Sequence, residues 1–375
     1  MLKTAWKFIK FDKAKSIGVI VGILISTFLI GQQLGVFIFL TGLMKSLANN
    51  VKADIWVVDS KTQDVNQLGF LDLRTLRIVQ GYPGVKEAFP IIISGAVSNY
   101  KNNTSGAITL IGVDLNQLNS VLDSSNIVEG KASNLLADGA VSGDYFDRKN
   151  LGDTISLGTE FEINSKRAFF ALQTKGFRGF GASYCVTSLE RARYYTNQNL
   201  NNISAVLIKV NPGTDPKELV GRINHSLYGV RAWTSYDLGY SSIVKILGSS
   251  GIALSTGTLI IFALISGFFI IGLTMYSSAL DRLKDYGTLK AIGAGNAYIS
   301  RLILLQALLF ALVGFSIGFL FLEGFRNGVA KSGLIFKFPP LLILSIFIII
   351  VLISLGGASF ALGRIRKVEP GAVFR

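Results

Sequence analysis

The sequence predicts an α-helical membrane protein with four transmembrane helices and a large extracytoplasmic α/β domain between the first and second of them. Composition is the first reason. The 375-residue chain is 50% hydrophobic and only 16% charged, with a mean hydropathy of +0.48, too apolar for an ordinary soluble domain. The second is four charge-free runs, Ser16 to Met44, Ile246 to Leu280, Leu302 to Leu322 and Phe338 to Gly363. Each reaches the roughly 20 residues that a helix needs to cross about 30 Å of hydrocarbon. The third is an abrupt change after the first run to a long segment rich in Asn, Asp, Ser and Gly, in which strand-like and helix-like stretches alternate.

Residues 1–15 place Leu2, Ala5, Trp6 and Ile9 on one helical face and Lys3, Lys7 and Lys10 on another, the pattern of an interfacial helix on the cytoplasmic leaflet. Residues 16–47 form the first span and a stalk. The apolar run there exceeds the roughly 7 to 15 residues of a signal h-region, so it reads as an uncleaved anchor. In the outer domain, residues 48–237, strand character appears at Ala53 to Val58, Ala88 to Val97, Ala107 to Val113, Thr154 to Leu157 and Ala205 to Val210. Short helices are expected from Asp72 to Gln80 and from Asp215 to Leu227. That order describes an α/β lobe interrupted by an inserted β-rich lobe at about residues 126–184. Residues 238–280 form a second stalk and span; if helical throughout, they outlast the bilayer. A connector at 281–297, a span at 298–322, an outer loop at 323–337, a span at 338–363 and a tail at 364–375 complete the chain. The pairs Gly18 and Gly22, Gly31 and Gly35, and Gly314 and Gly318 are small-xxx-small spacings that permit close helix approach.

The net charge of +14 and pI near 9.7 come from lysines and arginines that flank apolar runs. They point to positive-inside topology and not to nucleic-acid binding. Lys3, Lys7, Lys10, Lys13 and Lys15 precede the first span, Arg282, Lys284, Lys290 and Arg301 separate the second from the third, and Arg364, Arg366, Lys367 and Arg375 follow the fourth. These segments belong in the cytoplasm, with both termini, and the large domain belongs outside. Arg326, Lys331 and Lys337 on the remaining loop run against the bias without changing the parity.

Chemistry is sparse. One cysteine, Cys185, and one histidine, His225, exclude an intramolecular disulfide and a Cys- or His-rich metal centre. The Gly130 and Lys131 pair is followed by Ala132 and preceded by Ser125 where a P-loop needs its first glycine. The hydrolase-like GFSIG holds Ser316 within an apolar span, away from any strand-to-helix elbow. No carboxylate or lysine interrupts a span, which argues against an ion-coupled transporter. A part that moves, driven from elsewhere, fits best.

The connector is the handle for such a drive. LDRLKDYGTLKAIGAGNAY begins at Leu280; its helical core has Asp281 and Asp285 early and Lys290 late, the polarity that the helix dipole favours, and Gly293 and Gly295 end it before Asn296 caps the next helix. DYGTLKAIGAGNAYISRLILLQALLFALVG resembles the second-to-third span connection of FtsX/MacB-type ABC transporter permeases, the mechanotransmission or type VII class. DYGTLKAIGA is most similar to DevC-like members, whose ATPase is a separate chain. AITLIGVD, LGDTISL and the tail KVEPGAVFR resemble further phrases of the family, and the span order agrees throughout. Asp285 stands where many members carry glutamate, and no fused ATPase domain is evident.

The resemblance implies a non-catalytic inner-membrane permease that pairs with a second copy of itself. Two cytoplasmic ABC ATPase subunits would bind ATP and Mg beneath the connectors, this chain binding no cofactor. The expected ATPase-coupling residues are Asp285, Tyr286, Gly287, Leu289, Lys290, Ala291, Ile292, Gly293 and Ala294. The glycines and alanines permit close approach, Leu289 and Ile292 anchor, and Asp285 and Lys290 orient. Export across the envelope with a periplasmic membrane-fusion protein and an outer-membrane channel is the function implied. Lipoprotein release or activation of cell-wall hydrolases are roles of other relatives, and a membrane-anchored ligand sensor is the reading from outside the family.

Overall fold

A computed structural model describes residues 13–153 and 155–365. The expected interfacial helix therefore lies outside the described residues except for Lys13 to Lys15, as does the tail from residue 366. Two compact units form: Leu40–Gly251, and the helices that flank it in sequence.

The first helix, α1 (Lys13–Met44), has 32 residues, about 48 Å at 1.5 Å per residue. Its last residues belong to the outer unit, where a turn at Lys45 leads into α2 (Ser46–Asn50). There follow β1 (Ile55–Asp59), β2 (Leu71–Asp72), α3 (Arg74–Gln80), β3 (Val85–Asn99), β4 (Ser105–Val113), α4 (Leu118–Val121), β5 (Ile127–Glu129), β6 (Ala140–Asp144), β7 (Glu160–Ile163) and β8 (Lys166–Thr174). The unit closes with β9 (Ser183–Ser188), α5 (Leu189–Thr196), β10 (Asn202–Ile203), β11 (Ala205–Val210), α6 (Pro216–Ser226), β12 (Val230–Thr234) and α7 (Ser235–Ser250).

Ten of these strands share one sheet, in the path β12-β1-β11-β3-β7-β8-β5, with β4 beside β3, β9 beside β4 and β6 beside β8. Side chains alternate between its faces, as a pleated strand requires. Ile55 and Val57 of β1 and Val206 and Ile208 of β11 pack with Val79 of α3 and Leu219 and Ile223 of α6. Trp56 and Val58, with Ala205 and Leu207, point the other way into a cluster that includes Leu47 and Ala48 of α2 and Leu238 of α7. At β1 and β11 the sheet is thus buried on both faces, one of them under α2 and α7. The inserted lobe is not a separate sheet. The 15-residue β3 pairs with β11 from Val85 to Ile91 and with β7 at Ser98 and Asn99, so one strand threads both lobes. Asp215 caps α6 by accepting from the Lys217 N–H at 2.9 Å, next to Pro216 at the first helical position.

One expectation is corrected and one conditional reading is resolved. The strand expected at Thr154 to Leu157 does not form: Thr154 lies outside the described residues, and Ile155 to Leu157 are irregular. Ile155 is nonetheless buried, so it fills the core from a loop without a ladder. Residues 238–280 are not helical throughout: the stalk helix stops at Ser250, because Gly251 adopts φ 68°, ψ 0°, a left-handed geometry that glycine tolerates.

The flanking helices resume with α8 (Ile252–Asp281), α9 (Leu283–Ala291), α10 (Asn296–Ala330) and α11 (Pro340–Ile365). With α1 they supply four helices long and apolar enough to span a bilayer. At 35 residues, α10 measures about 52 Å and runs through the first half of the segment expected as an outer loop. Its Arg326 pairs with Glu323 one turn away at 2.6 Å.

Candidate functional site

The connector between α8 and α10 is a helix fixed at both ends. Asp285 lies in the first turn of α9 and Lys290 in the last, each favourable to the macrodipole. At the far end Gly293 takes φ 97°; its N–H donates to the Lys290 carbonyl at 3.0 Å, and the Ala294 N–H donates to the Leu289 carbonyl at 2.9 Å. These two bonds form a Schellman cap, which requires the left-handed residue that glycine supplies. The next helix is capped differently from expectation. Gly295 is its N-cap, without a side-chain bond, and Asn296 is its first residue.

The helix has two faces. Tyr286 is 2% exposed and belongs to the buried cluster of Ile271, Met275, Ile299, Leu302 and Ile303, with Leu283 and Leu289 packed half-buried against it. Burying a side chain of this size contributes about 1.5–3 kcal/mol. Burial pushes the Tyr286 hydroxyl up to about 12, opposed by the charge of Arg282, so it stays protonated at physiological pH. Gly287 is buried too. Asp285, Thr288, Ala291, Ile292 and Gly293 face out, Ile292 at 76% exposure, while Lys290 and Ala294 are half-buried. The nine expected coupling residues therefore divide. Tyr286 and Gly287 seat the helix and are closed to a partner, Leu289 is shared, and Asp285, Ala291, Ile292 and Gly293 form the outer strip. An i, i+3, i+4 reading of Leu283, Tyr286 and Gly287 against Asp285 and Ile292 would have found this division.

Five of the six expected glycines meet another helix, and Gly35 meets the segment between α10 and α11. A Cβ built on Gly18 would lie 3.5 Å from Thr274, and one on Gly22 would lie 2.6 Å from Ile270. At Gly31 it would overlap Leu322; at Gly35 it would lie 3.1 Å from Phe336 and 3.2 Å from Phe338. Gly314 would reach Ile23 at 2.6 Å, and Gly318 would reach Thr27 at 2.8 Å. Sequence spacing overlooked the closest backbone approach between two of the described helices, where a Cβ on Gly357 of α11 would stand 2.8 Å from the backbone nitrogen of Gly272 in α8. The Gly356-Gly357 pair within an apolar run was the available signal.

Other candidate chemistry does not assemble. His225 is exposed on α6, Ser316 donates to the Leu312 carbonyl at 2.8 Å within α10, and the two residues belong to different units. Cys185 is buried, and burial pushes its thiol up. Among the described residues no group of three His, Cys, Asp or Glu is placed to hold a metal ion.

Four apolar helices, an outer α/β domain between the first and second, and a helical connector define a multi-pass membrane protein with a large outer domain. The chain belongs to the MacB/FtsX-like permease family: the MacB-like periplasmic core domain matches residues 16–226, more than half the chain, and the FtsX-like permease C-terminal domain matches residues 257–370. Membership makes it a permease component of an ABC-type transporter, not itself catalytic, in the inner membrane with its large domain in the periplasm. It also implies an ABC ATPase partner and dimerisation. Solved structures similar to the outer unit include the periplasmic region of MacB from Actinobacillus actinomycetemcomitans, at 9% identity and a TM-score of 0.38, covering 56% of this chain and 98% of that one. The extracellular domain of the noncanonic ABC-type transporter YknZ from Gram-positive bacteria matches at 14% identity and a TM-score of 0.34, covering 48% of this chain and 98% of that one. A domain of a permease protein from Porphyromonas gingivalis matches at 12% identity and a TM-score of 0.33, with coverages of 49% and 88%. No curated protein is similar enough to be matched.

Proposed function

We propose that this chain is the force-transmitting permease of a DevC-like export system. A separate ATPase, binding ATP and Mg, docks on the outer strip of α9. Its closure moves the outer domain, which acts with a membrane-fusion protein and an outer-membrane channel. In this reading both termini are cytoplasmic, the chain works as a homodimer, and it binds no cofactor of its own. One observation carries it: α9 presents Asp285, Ala291 and Ile292 outward while Tyr286 seats its other face in the helix core. A push on that strip is resisted by the span helices and not absorbed by a floppy loop. An apolar anchor such as Ile292 at an interface centre commonly contributes more than about 1–2 kcal/mol, and a rim charge such as Lys290 far less.

The test is photocrosslinking in native membranes with an unnatural residue at Ile292, Ala291 or Tyr286. Capture of an ATPase subunit from Ile292 and Ala291, and not from Tyr286, supports the reading. Capture of a signalling protein instead favours a ligand sensor, and capture of nothing from any position contradicts docking at α9.

A further inference from the structure

Side chains far apart in sequence meet at Asn66, in the loop between β1 and β2. Its Nδ2 donates to the Met44 carbonyl at 2.8 Å and to Asp64 Oδ1 at 2.9 Å, while its Oδ1 accepts the Tyr184 hydroxyl at 2.9 Å. Both bonded groups on the nitrogen side are acceptors, so the amide has one workable orientation. The Met44 carbonyl closes α1, where intrahelical partners run out. Tyr184 lies on β9, 2% exposed, its ring 5.4 Å from that of Phe177. Burial pushes its hydroxyl up to about 12, with Ser46 beside it opposing the shift, so it remains a donor at physiological pH.

The neighbouring loop 175–182 joins β8 to β9 at the end of the inserted lobe. The Phe177 N–H donates to Asp144 Oδ2 at 2.8 Å and Arg178 Nε to Asp147 Oδ1 at 2.6 Å, with Asp144 and Asp147 both buried. Ser46, two residues past the end of α1, donates its hydroxyl to the Arg178 carbonyl. The second stalk reaches the Asn66 loop as well. Ser242 of α7 accepts the Val65 N–H at 2.8 Å, and Ser241 donates to the Gln63 carbonyl at 2.8 Å. Loop 62–67 is therefore held by α1, by α7 and by β9 together.

We infer that Asn66 is the positioning residue that ties the emerging end of α1 to the inserted lobe, so that displacement of the Met44 carbonyl is passed through Tyr184 to β9 and loop 175–182. This rests on the force-transmitting reading of the chain and names where, inside the outer domain, the motion crosses between lobes. Apolar packing alone would let the helix end slide against the sheet. A polar bridge between one carbonyl and one hydroxyl sets a fixed register.

The experiment follows amide hydrogen exchange in the full-length protein purified with its ATPase, with and without ATP and vanadate. Wild type is expected to change exchange both at residues 44–50 and at residues 177–188 on trapping. Asn66→Ala, besides exchanging about two- to tenfold faster at Asn66 itself from the lost bonds, is expected to keep the response at 44–50 and lose it at 177–188. Tyr184→Phe keeps the ring and removes only the hydroxyl, and is expected to do the same. Ser98→Ala removes a buried hydroxyl that donates to the Gly106 carbonyl elsewhere in the unit and is expected to leave both responses intact, which separates positioning from general loosening. A wild-type response at 177–188 in both junction variants overturns the inference while leaving the force-transmitting reading standing. Absence of any response at 44–50 in wild type overturns that reading, and the inference with it.

Discussion

Placing a methyl group on Gly314 or Gly318 tests the packing of α1 against α10 directly. On Gly314 it would stand 2.6 Å from both Cβ and Cγ2 of Ile23 and 3.3 Å from the Ile20 carbonyl oxygen; on Gly318, 2.8 Å from Thr27 Cβ and 3.1 Å from the Leu24 carbonyl oxygen. Carbon atoms rest about 3.5–4.0 Å apart, so roughly 1 Å of separation is needed. The opposing atoms offer no rotamer escape, because Ile23 is fully buried and the contacts include its Cβ and backbone oxygens. The helices themselves must part. Overfilling a tight core costs about 1–3 kcal/mol, and replacing glycine by alanine in a helix returns about 0.5–1 kcal/mol. Each single variant should lose up to about 2.5 kcal/mol as the difference of those two effects. Gly324 and Gly328 in the same helix meet nothing within 4 Å, so Gly324→Ala and Gly328→Ala should gain about 0.5–1 kcal/mol. Denaturation of the purified protein in detergent, followed by helical circular dichroism, reads both signs. Equal stability of Gly314→Ala and Gly324→Ala would refute the close approach.

Asp144 is buried, and desolvation holds its carboxyl above the ordinary carboxylate range despite bonds from Phe146, Thr174 and Phe177. The folded state then keeps a proton that the unfolded chain has lost, so this group's contribution is fully present below the unfolded value and fades as pH rises through the folded one. Asp144→Asn should flatten the pH dependence of exchange protection in loop 175–182 across that window; an unchanged slope contradicts the assignment. Gly293→Ala should loosen the end of α9 by about 1–2 kcal/mol from left-handed strain, seen as faster exchange at Ala294. Gly295→Ala, at φ −70° with open space around it, should leave that amide unchanged. For topology, Tyr228→Cys, at a side chain 96% exposed, should react with a membrane-impermeant thiol reagent once the outer membrane is permeabilised, and Asn296→Cys should not. The buried Cys185 keeps the background low, and labelling at Asn296 would invert the orientation.

Much of this architecture was legible because the bilayer imposes simple arithmetic. Runs such as Leu302 to Leu322 announce spans by length, and the outer strands at Ala107 to Val113 and Ala205 to Val210 announce themselves by β-branched residues. β11 forms over the latter residues, Ala205–Val210. The break at Gly251 stayed hidden because glycine inside an apolar run marks equally a packing contact and a helix end; only the observed φ of 68° decides. Ile155 misled because an apolar residue can fill a core from a loop. In the connector, the composition of DYGTLKAIGA suggested a docking element, and the i, i+3, i+4 spacing of Leu283, Tyr286 and Gly287 carried its inward side, where the span helices bury Tyr286. The Asn66 junction was beyond local reasoning, since its partners Met44 and Tyr184 lie 22 and 118 residues away and nothing in the composition of loop 62–67 sets it apart from an ordinary polar turn.

The central claim, that motion enters at α9 and emerges in the outer domain, is tested most directly by the distance between two copies. A spin label at Tyr228→Cys in the dimer with its ATPase, measured by pulsed electron resonance, should report one distance distribution without nucleotide and a shifted one with ATP and vanadate. The same label with Ile292→Asp and Ala291→Trp should report the nucleotide-free distribution in both conditions. A shift that persists in this connector variant, or its absence in the wild-type complex while ATP is hydrolysed, would contradict the claim.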